Sequence, residues 1–404
     1  MVVARLARVK IRYLLHNAYG TGGTIRTVVN QANSLCADHD VEIASVYRSA
    51  EVPIFAVDPR VRLVPLTNLR GDGRVWTDPP ERKRRRLPHK TRRFANRLPH
   101  GNDFRYKRWD PLVDLAILRY LWAAKDGVLV TTRPGLNLFS AWFAPRRLVR
   151  VAQDHMNFDH YKPALRAAIL KAYPRLDAVA VLTEHDRETY RAGLDGTGVR
   201  LERIPNGIPP WPLPPAELTS KVLVAAGRLV PQKGFDLLID AFARVHAKHP
   251  DWQLRIFGTG AKHKRLAAQI DELGLEGGVE LRGLDKRLDE QLSQASIYVL
   301  SSRFEGLPMV LLEAAAAGVP AVAFDCPTGP AEVIADGKDG LLIPPEDVEA
   351  LAEGICRLIE HPDDRRAMGA AARERSYRHS MLTVRQEWER LFTELSTSRG
   401  ASPS

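Results

Sequence analysis

The sequence predicts an α/β protein of two doubly wound domains, each a parallel sheet wrapped by helices. Short runs of β-branched and apolar residues alternate with amphipathic helical stretches along most of the chain, which is typical of this architecture. One stretch, Ile204 to Leu218, interrupts the alternation and contains six prolines, so we expect it to be an interdomain connector. A length of 404 residues also suits two domains better than one.

The first half of the chain carries six strand-like runs, each short and rich in Val, Ile, Leu or Ala. Between them, Thr24 to Ala37 and Pro163 to Tyr173 have apolar residues at helical spacing. We therefore expect a first domain over residues 1–206, with a basic insertion at about 70–110. The predicted strands are Lys10 to His16, Val41 to Tyr47, Val61 to Leu66, Val128 to Thr131, Val149 to Gln153 and Ala178 to Leu182.

The second half repeats the alternation, which predicts a second domain over residues 207–378. The chain from Val348 onward is predicted to be helical throughout. Residues 379–404 are expected to form a last helix, about Met381 to Leu395, followed by a short tail. We expect this last helix to pack back on the first domain. The predicted strands are Lys221 to Ala226, Gln253 to Phe257, Val279 to Arg282, Ile297 to Leu300, Ala321 to Phe324 and Gly340 to Ile343. The predicted helices are Phe235 to Lys248, Lys262 to Leu273, Arg287 to Gln294 and Pro308 to Ala317.

Composition excludes several classes of protein. An apolar fraction of 45% and a charged fraction of 26% exclude collagen-like and wholly disordered chains. The longest apolar run, Leu311 to Phe324, is too short to cross a membrane, and basic residues interrupt the first fourteen residues where a signal peptide would need an apolar core. The three cysteines are far apart in sequence, which indicates neither a disulfide framework nor a zinc site. We expect a cytoplasmic protein.

The net charge of +11 is concentrated in one segment. Residues 82–108 hold twelve Lys or Arg and one acid, Asp103, so this segment alone accounts for the whole excess. Such a block, with aromatic residues interleaved, would attract an anionic membrane surface or an anionic polymer. A solvated loop and a nucleic-acid contact are the alternatives, although no nucleic-acid motif of known spacing is present and we expect no nucleic-acid partner.

The loop and helix of Ser301 to Ile334 carry the strongest local pattern. Glu305 and Gly306 form a predicted loop, Pro308 stands near the first helical position, and Gly318 ends the helix. The amides of Gly306, Leu307, Met309 and Val310 would then form a helix N-terminus suited to phosphate. Glu305 and Glu313 are too far apart for the paired carboxylates of a retaining hydrolase, so we expect them to hold sugar or ribose hydroxyls. The alternative is a helix cap and a solvated helix residue.

Three further segments follow predicted strands. Arg228 and Lys233 leave a buried strand five residues apart, so both cations can face one crevice and share a diphosphate. Gly20, Gly22 and Gly23 permit close backbone approach to a ligand, although the G-x-G-x-x-G spacing is absent. The third run, Ala152 to Tyr161, offers polar side chains for hydrogen bonds to a substrate, with metal binding and a purely structural role as alternatives. Its polar residues are Asp154, His155, Asn157, Asp159 and His160.

Together these segments resemble the retaining glycosyltransferases of family 4, whose GT-B fold consists of two Rossmann-like domains. The resemblance rests on E-x7-E, from Glu305 to Glu313, combined with R-x4-K, from Arg228 to Lys233. It thins out between Asn68 and Trp109, where acceptors would be chosen. The remaining matching strings are the glycine loop at Gly22 and Gly23, PNGI at Pro205 to Ile208, GRLVPQKG at Gly227 to Gly234, IFGTG at Ile256 to Gly260 and FEGLPMVLLEAAAAGVP at Phe304 to Pro320.

The resemblance implies a role for each matched residue. Arg228 and Lys233 would bind the diphosphate of a nucleotide-sugar, Glu313 its ribose, and Glu305 its sugar. His155 would contact the transferred sugar near the reacting carbon. The catalytic set is thus His155, Arg228, Lys233 and Glu305. The donor-binding set is Gly22, Gly23, Gly227, Arg228, Lys233, Gly258, Glu305, Gly306, Leu307, Pro308, Met309, Val310 and Glu313.

The same resemblance implies a metal-independent enzyme with no cofactor, its nucleotide-sugar being a substrate. Uridine is the base expected by family habit, and binding is expected in a cleft between the two domains. From the localised charge we expect the acceptor to be a sugar, a lipid-linked sugar or an anionic polymer of the cell envelope, and the protein to be peripheral on the inner face of the plasma membrane. A GT-B epimerase or phosphorylase and a basic nucleic-acid-binding protein are the alternative functions. The donor sugar, linkage and oligomeric state stay open.

Overall fold

The structure, a computed structural model, describes residues 8–68, 100–103 and 111–400. Most of the basic segment 82–108 therefore lies outside the described residues. The chain divides into two compact units, one comprising residues up to Gly207 and from Met381 onward, the other Ile208–Ser380. The predicted domain boundaries, after residues 206 and 378, fall next to these points.

The first unit contains a seven-stranded, all-parallel sheet in the order β3-β2-β1-β4-β5-β6-β7. Its central strands are buried on both faces, which explains their uniformly apolar sequences. The strands are β1 (Lys10–Leu15), β2 (Asp40–Arg48), β3 (Arg62–Asn68), β4 (Val128–Thr131), β5 (Val149–Gln153), β6 (Ala178–Val181) and β7 (Arg200–Arg203). The helices are α1 (Gly23–Leu35), α2 (Pro111–Ala123), α3 (Pro134–Phe143), α4 (Pro163–Ala172) and α5 (Glu184–Leu194).

The second unit contains a six-stranded parallel sheet in the order β10-β9-β8-β11-β12-β13. Its strands are β8 (Val222–Ala226), β9 (Gln253–Phe257), β10 (Val279–Gly283), β11 (Ile297–Leu300), β12 (Ala321–Phe324) and β13 (Gly340–Ile343). Its helices are α6 (Phe235–Lys248), α7 (His263–Glu272), α8 (Leu288–Ser293), α9 (Met309–Ala316), α10 (Pro330–Val333), α11 (Val348–Glu360) and α12 (Pro362–Ser376).

The last helix, α13 (Met381–Gly400), belongs to the first unit. Its fully buried Trp388 packs with Val384 and Phe392 in the same core cluster as β1 and α1. Arg385 adds an ion pair with Asp38. The C-terminal segment thus completes the hydrophobic core of the N-terminal sheet.

Both sheets have the strand order of doubly wound folds, so the prediction of two Rossmann-like domains is confirmed. Each order reverses between two neighbouring strands: β1 and β4 in the first sheet, β8 and β11 in the second. In such sheets ligands bind beyond the carboxyl ends of the strands at this reversal. These are the places where the sequence puts its glycine loop and its R-x4-K pair.

Three details differ from the predictions. The tail after Val348 is not helical throughout, because Pro362 starts a new helix and residues 377–380 break the chain again before α13. The edge strand β7 was missed because its sequence RLER is mostly charged. The sequence analysis also missed three helices, α2, α3 and α5. Apolar residues occupy most sides of α2 and α3, so their sequences resemble those of buried strands.

Candidate active site

The loops that follow β8, β9 and β11 in the second unit touch one another through their backbones. Gly258 has φ 138°, and a Cβ there would lie 1.8 Å from the carbonyl oxygen of Gly227. Gly234 has φ 59°, and a Cβ there would lie 1.9 Å from the carbonyl oxygen of Ser301. Because only glycine tolerates both the positive φ and the close approach, these positions hold the three loops together.

Lys233 and Glu305 form an ion pair within this group of loops. The Lys233 Nζ atom donates to Glu305 Oε1 at 2.5 Å, and both side chains are largely buried, with 17% and 8% exposed. The hydroxyl of Ser302 donates to the same carboxylate oxygen at 2.6 Å. Glu305 stands in the loop before α9, and no side chain caps this helix. The alternative of Glu305 as a helix cap is therefore wrong.

Arg228 provides a second cation on the same loop. Its side chain is exposed, and its guanidinium makes no hydrogen bond or ion pair with any described residue. The neighbouring amide of Gly227 donates to the Phe257 carbonyl at 2.9 Å, which fixes the backbone that carries Arg228. The loop after β8 thus carries one cation that is exposed to solvent, Arg228, and one that is paired with a carboxylate, Lys233.

Helix α9 supplies the remaining polar groups. Glu313 is buried on it. Burial raises the pKa of Tyr298 on β11, and the charges of Glu305 and Glu313 add to this shift, so both carboxylates lie near the same side chain. No described residue accepts a backbone hydrogen bond from the amides of Gly306 or Val310 at the start of the helix. The three residues between Gly306 and Val310 are buried: Leu307, Pro308 and Met309.

Two residues at this site had no counterpart in the sequence analysis. Arg303 binds both carboxylate oxygens of Asp236 at 3.0 and 2.8 Å and lowers its pKa, tying the β11 loop to the start of α6. The buried thiol of Cys326, after β12, has its pKa raised to about 12 by burial and by the charge of Glu305. Both depend on contacts between distant segments, which single-sequence patterns do not show.

In the first unit, the glycine loop follows β1 and starts α1. Gly22 has φ 135° and precedes the helix, and Gly23 is its first residue. A Cβ built on Gly22 would meet no atom of the described chain within 4 Å. The loop is thus open where the loops of the second unit are closed.

Two residues of the polar run after β5 have structural roles. Asp154 is buried and accepts hydrogen bonds from Tyr161 at 2.5 Å and Tyr190 at 2.6 Å, while burial raises its pKa to about 6. Asn157 caps a 3-10 turn by accepting from the Asp159 amide at 2.8 Å. The expectation that these polar groups serve a substrate is therefore wrong for Asp154 and Asn157, because the fold already occupies them.

His155 belongs to the same run, and the described residues leave one of its ring nitrogens unsatisfied. Its Nε2 atom is buried and has no hydrogen-bond partner in the described chain. Burial and the nearby charge of Arg133 lower its pKa to about 3, so the ring is neutral at physiological pH. Arg133 follows β4 at the start of α3, where burial lowers its own pKa and the charges of Asp103 and Asp154 oppose that shift. Sequence reasoning missed Arg133.

Comparisons with known proteins show which families this chain resembles. Residues 214–375 match the family model "Glycosyl transferases group 1". The chain is 40% identical over 395 residues to an exopolysaccharide phosphotransferase of Streptomyces coelicolor, covering 96% of this chain and 41% of that protein. It is 28% identical over 279 residues to a poly(ribitol-phosphate) alpha-N-acetylglucosaminyltransferase of Staphylococcus aureus, covering 67% of this chain and 56% of that protein. The chain thus spans about half the length of these two relatives.

A solved structure shows the same fold. The crystal structure of S. aureus TarM in complex with fondaparinux, alpha-GlcNAc-glycerol and UDP has a TM-score of 0.75 and 19% identity, covering 95% of this chain and 99% of that one. The predicted GT-B fold is therefore confirmed, and the matches support the prediction of a transferase enzyme of the glycosyltransferase class. They do not favour an epimerase, a phosphorylase or a nucleic-acid-binding protein. No helix of the described chain is long and apolar enough to span a bilayer.

Proposed function

We propose that this chain transfers a sugar from a UDP-sugar to a cell-envelope polymer or lipid-linked acceptor, with retention of the anomeric configuration. The observation that carries the proposal is the Lys233–Glu305 pair beside the exposed Arg228, at the carboxyl ends of β8 and β11. Family 4, the retaining outcome and the absence of a cofactor or catalytic metal are parts of this proposal.

The second unit would bind the donor. Arg228 and Lys233 would contact the diphosphate, and Glu313 would accept hydrogen bonds from ribose hydroxyls. Glu305 and the backbone at Gly227 and Gly258 would surround the sugar and phosphates. The amides of Gly306, Leu307, Met309 and Val310 would do the same. Because Lys233 is already paired with Glu305, its ammonium is held in place before the donor arrives. A cation held in advance stabilises developing charge without reorganising during the reaction.

The first unit would contribute neutral groups. His155 is uncharged at physiological pH, so it can donate one hydrogen bond and accept another, both suited to sugar hydroxyls. The open Gly22 and Gly23 backbone would approach the donor phosphates without a side chain in the way. Burial and the charge of Arg133 would together keep His155 neutral, so Arg133 is a positioning residue.

The chemistry requires no carboxylate nucleophile. The bond between the anomeric carbon and the UDP oxygen breaks, the acceptor oxygen bonds to the same face of that carbon, and the acceptor proton passes to a phosphate oxygen of the departing UDP. Arg228, Lys233 and the α9 amides would stabilise the charge on the leaving group, the largest contribution such a site can make. Glu305 would orient Lys233 and the sugar.

The acceptor side of the proposal draws on charge and on the relatives. The names of the two relatives refer to poly(ribitol-phosphate) and to exopolysaccharide. The basic segment 82–108 would attract anionic polymers or an anionic membrane. Helix α2, just after this segment, exposes Leu115, Arg119 and Trp122 on one face, a combination suited to a membrane interface. We therefore include peripheral attachment to the inner face of the plasma membrane in the proposal.

A product assay tests the proposal. The full chain is incubated with UDP-glucose, UDP-N-acetylglucosamine or GDP-mannose and with poly(ribitol-phosphate), poly(glycerol-phosphate) or a lipid-linked sugar, and the product is examined by NMR. Transfer from a UDP-sugar with an α-anomeric linkage is expected. A β-linked product would contradict retention, transfer from GDP-mannose alone would contradict the donor, and no transfer with bound UDP would contradict the acceptor class.

A further inference from the structure

A cluster of one histidine, one cysteine and one glutamate lies on the second unit, outside the proposed donor site. His249 follows the end of α6, and Cys356 and Glu360 stand one turn apart on α11. One ligand atom from each residue, an imidazole nitrogen, the thiol sulfur and a carboxylate oxygen, lies within 4.8 Å of the other two. We propose that these three residues form a zinc-binding site.

Local structure explains why the three side chains meet. Pro250 and Pro362 follow the two helix ends, so α6 stops before His249 and α11 stops at Glu360. Cys356 and Glu360 are four residues apart, a spacing that places both side chains on one face of a helix. The Nε2 atom of His249 is 3.0 Å from the Glu360 carboxylate. The ligands therefore come from two rigid elements.

Geometry and chemistry favour zinc over a hard cation. In a tetrahedral zinc site, bonds of about 2.0–2.3 Å place neighbouring ligand atoms about 3.5 Å apart, so the side chains need only small rotations. Imidazole and thiolate are ligands that zinc prefers, whereas Mg²⁺ and Ca²⁺ prefer oxygen alone. On binding, the thiol proton passes to solvent and the sulfur bonds to the metal. Glu360 and His249 are partly exposed, 48% and 21%, which leaves a path for entry and a position for water as fourth ligand.

The electrostatic setting also favours a cation. The C-terminal ends of α6 and α11, helices of 14 and 13 residues, converge on the cluster, and helix C-termini carry partial negative charge. The acid Glu353 lies near Cys356 as well, opposed by the nearby Lys248. A bound ion would cross-link α6 to α11.

The zinc site is separate from the donor site. Helix α6 begins next to the Lys233 loop and ends at the cluster, so its 14 residues place the two sites about 20 Å apart. A structural role follows, because the ion would hold two helices that cover one face of the sheet. The proposal of a catalytic step without metal is unaffected.

A metal titration on tag-free protein tests the site. We expect one Zn²⁺ per chain with micromolar or tighter affinity by calorimetry, and one Co²⁺ with a thiolate-to-cobalt absorption band in the near ultraviolet. In Cys356→Ser this band is lost. In His249→Gln the zinc affinity falls at least tenfold, while Cys36→Ser, which changes a buried thiol of the other unit, behaves as the wild type.

Two results would overturn the proposal: no saturable zinc binding, which would leave an ordinary His249–Glu360 ion pair, or a cobalt band that survives in Cys356→Ser. His249→Gln changes a partly exposed side chain, so it keeps the test valid if Cys356→Ser does not fold. UDP binding is measured on the same variants and should be unchanged, which separates failure of the zinc site from failure of the proposed function.

Discussion

The two Rossmann-like units share a strand order but differ at the ends of their strands. In the second unit the loops are closed on one another by Gly234 and Gly258 and hold a paired lysine and glutamate beside an exposed arginine. In the first unit the glycine loop is open, and the polar run after β5 contains a neutral histidine, His155. The same strand order thus carries fixed charges in the second unit and neutral hydrogen-bonding groups in the first. This difference fits the proposal that the second unit supplies the charged groups around the leaving diphosphate and the first unit supplies uncharged ones.

Removal of the paired lysine should have the largest effect. Lys233→Ala would remove a cation held against the leaving group and leave Glu305 as an unpaired, buried carboxylate, so kcat/KM should fall about 100- to 1000-fold. Lys221→Ala, an exposed lysine paired with Asp251 elsewhere on this unit, is the matched control and should keep full activity. Steady-state kinetics with saturating acceptor measure both. Equal rates for the two variants would show that the charged pair has no role in transfer.

Substitution of glycines tests whether the loops of the second unit are closely packed and the glycine loop of the first unit is open. In Gly258→Ala the methyl group would collide with the Gly227 carbonyl at a strained φ, so the free energy of unfolding should fall by about 4 kcal/mol. In Gly22→Ala only the strain applies, because the space is open, and the loss should be about 1–3 kcal/mol. Gly274→Ala, with φ 64° and open space, is a control for positive φ alone. Similar losses for Gly22→Ala and Gly258→Ala, measured by urea unfolding, would refute the contrast.

Protonation tests the neutral histidine. The pKa of His155 is lowered from 6.5 to about 3 in the folded protein, so between these values the unfolded chain binds a proton that the folded chain does not. Stability due to this group therefore falls as pH falls from about 6.5 towards 3. Relative to His155→Gln, the wild type should lose up to about 1.4 kcal/mol per pH unit over this range.

The neighbouring aspartate should show the opposite sign. Burial raises the pKa of Asp154 from 3.8 to about 6, so the folded chain binds the extra proton and stability falls as pH rises between these values. Asp154→Asn should remove that loss of stability. From about pH 4 to 6 the contributions of His155 and Asp154 to stability change in opposite directions. Urea unfolding of His155→Gln, Asp154→Asn and the wild type separates the two contributions. A flat difference for His155→Gln would mean that the imidazole titrates normally.

The smallest effect is expected at the proposed membrane surface. Two variants should each reduce pelleting with phosphatidylglycerol vesicles about tenfold. The double variant Leu115→Ser, Trp122→Ser removes apolar area from the surface. The second variant removes positive charge by replacing five arginines with glutamine: Arg84, Arg85, Arg86, Arg92 and Arg93. Both exchanges spare the second unit, so UDP binding should stay the same. Unchanged pelleting together with unchanged activity on the polymer acceptor would remove this part of the proposal.

Much of the fold could be predicted from sequence because it depends on local patterns. The alternation of buried strands and amphipathic helices predicted both sheets, and Pro308 and Gly318 marked the limits of α9 to within one or two residues. The strand β7 was missed because edge strands can be charged, and α3 because a helix buried on most sides loses its periodicity.

The site was predictable only where its residues lie close together in sequence. Arg228, Lys233, Glu305 and Glu313 stand in two short segments with recognisable spacing. Other features of the site join segments that are distant in sequence. They are the ion pair of Lys233 with Glu305, the ion pair of Arg303 with Asp236 and the effect of Arg133 on the pKa of His155. The tyrosine contacts of Asp154 belong to the same group, which is why its structural role was not foreseen.

Calorimetric titration with UDP, GDP and ADP tests the central claim, that the charged loops of the second unit bind a nucleoside diphosphate. The wild type should bind UDP with micromolar affinity and the other two at least tenfold more weakly, and both Lys233→Ala and Glu313→Ala should lose UDP binding. Binding of none of the three nucleotides, or UDP binding that both variants retain, would contradict the claim.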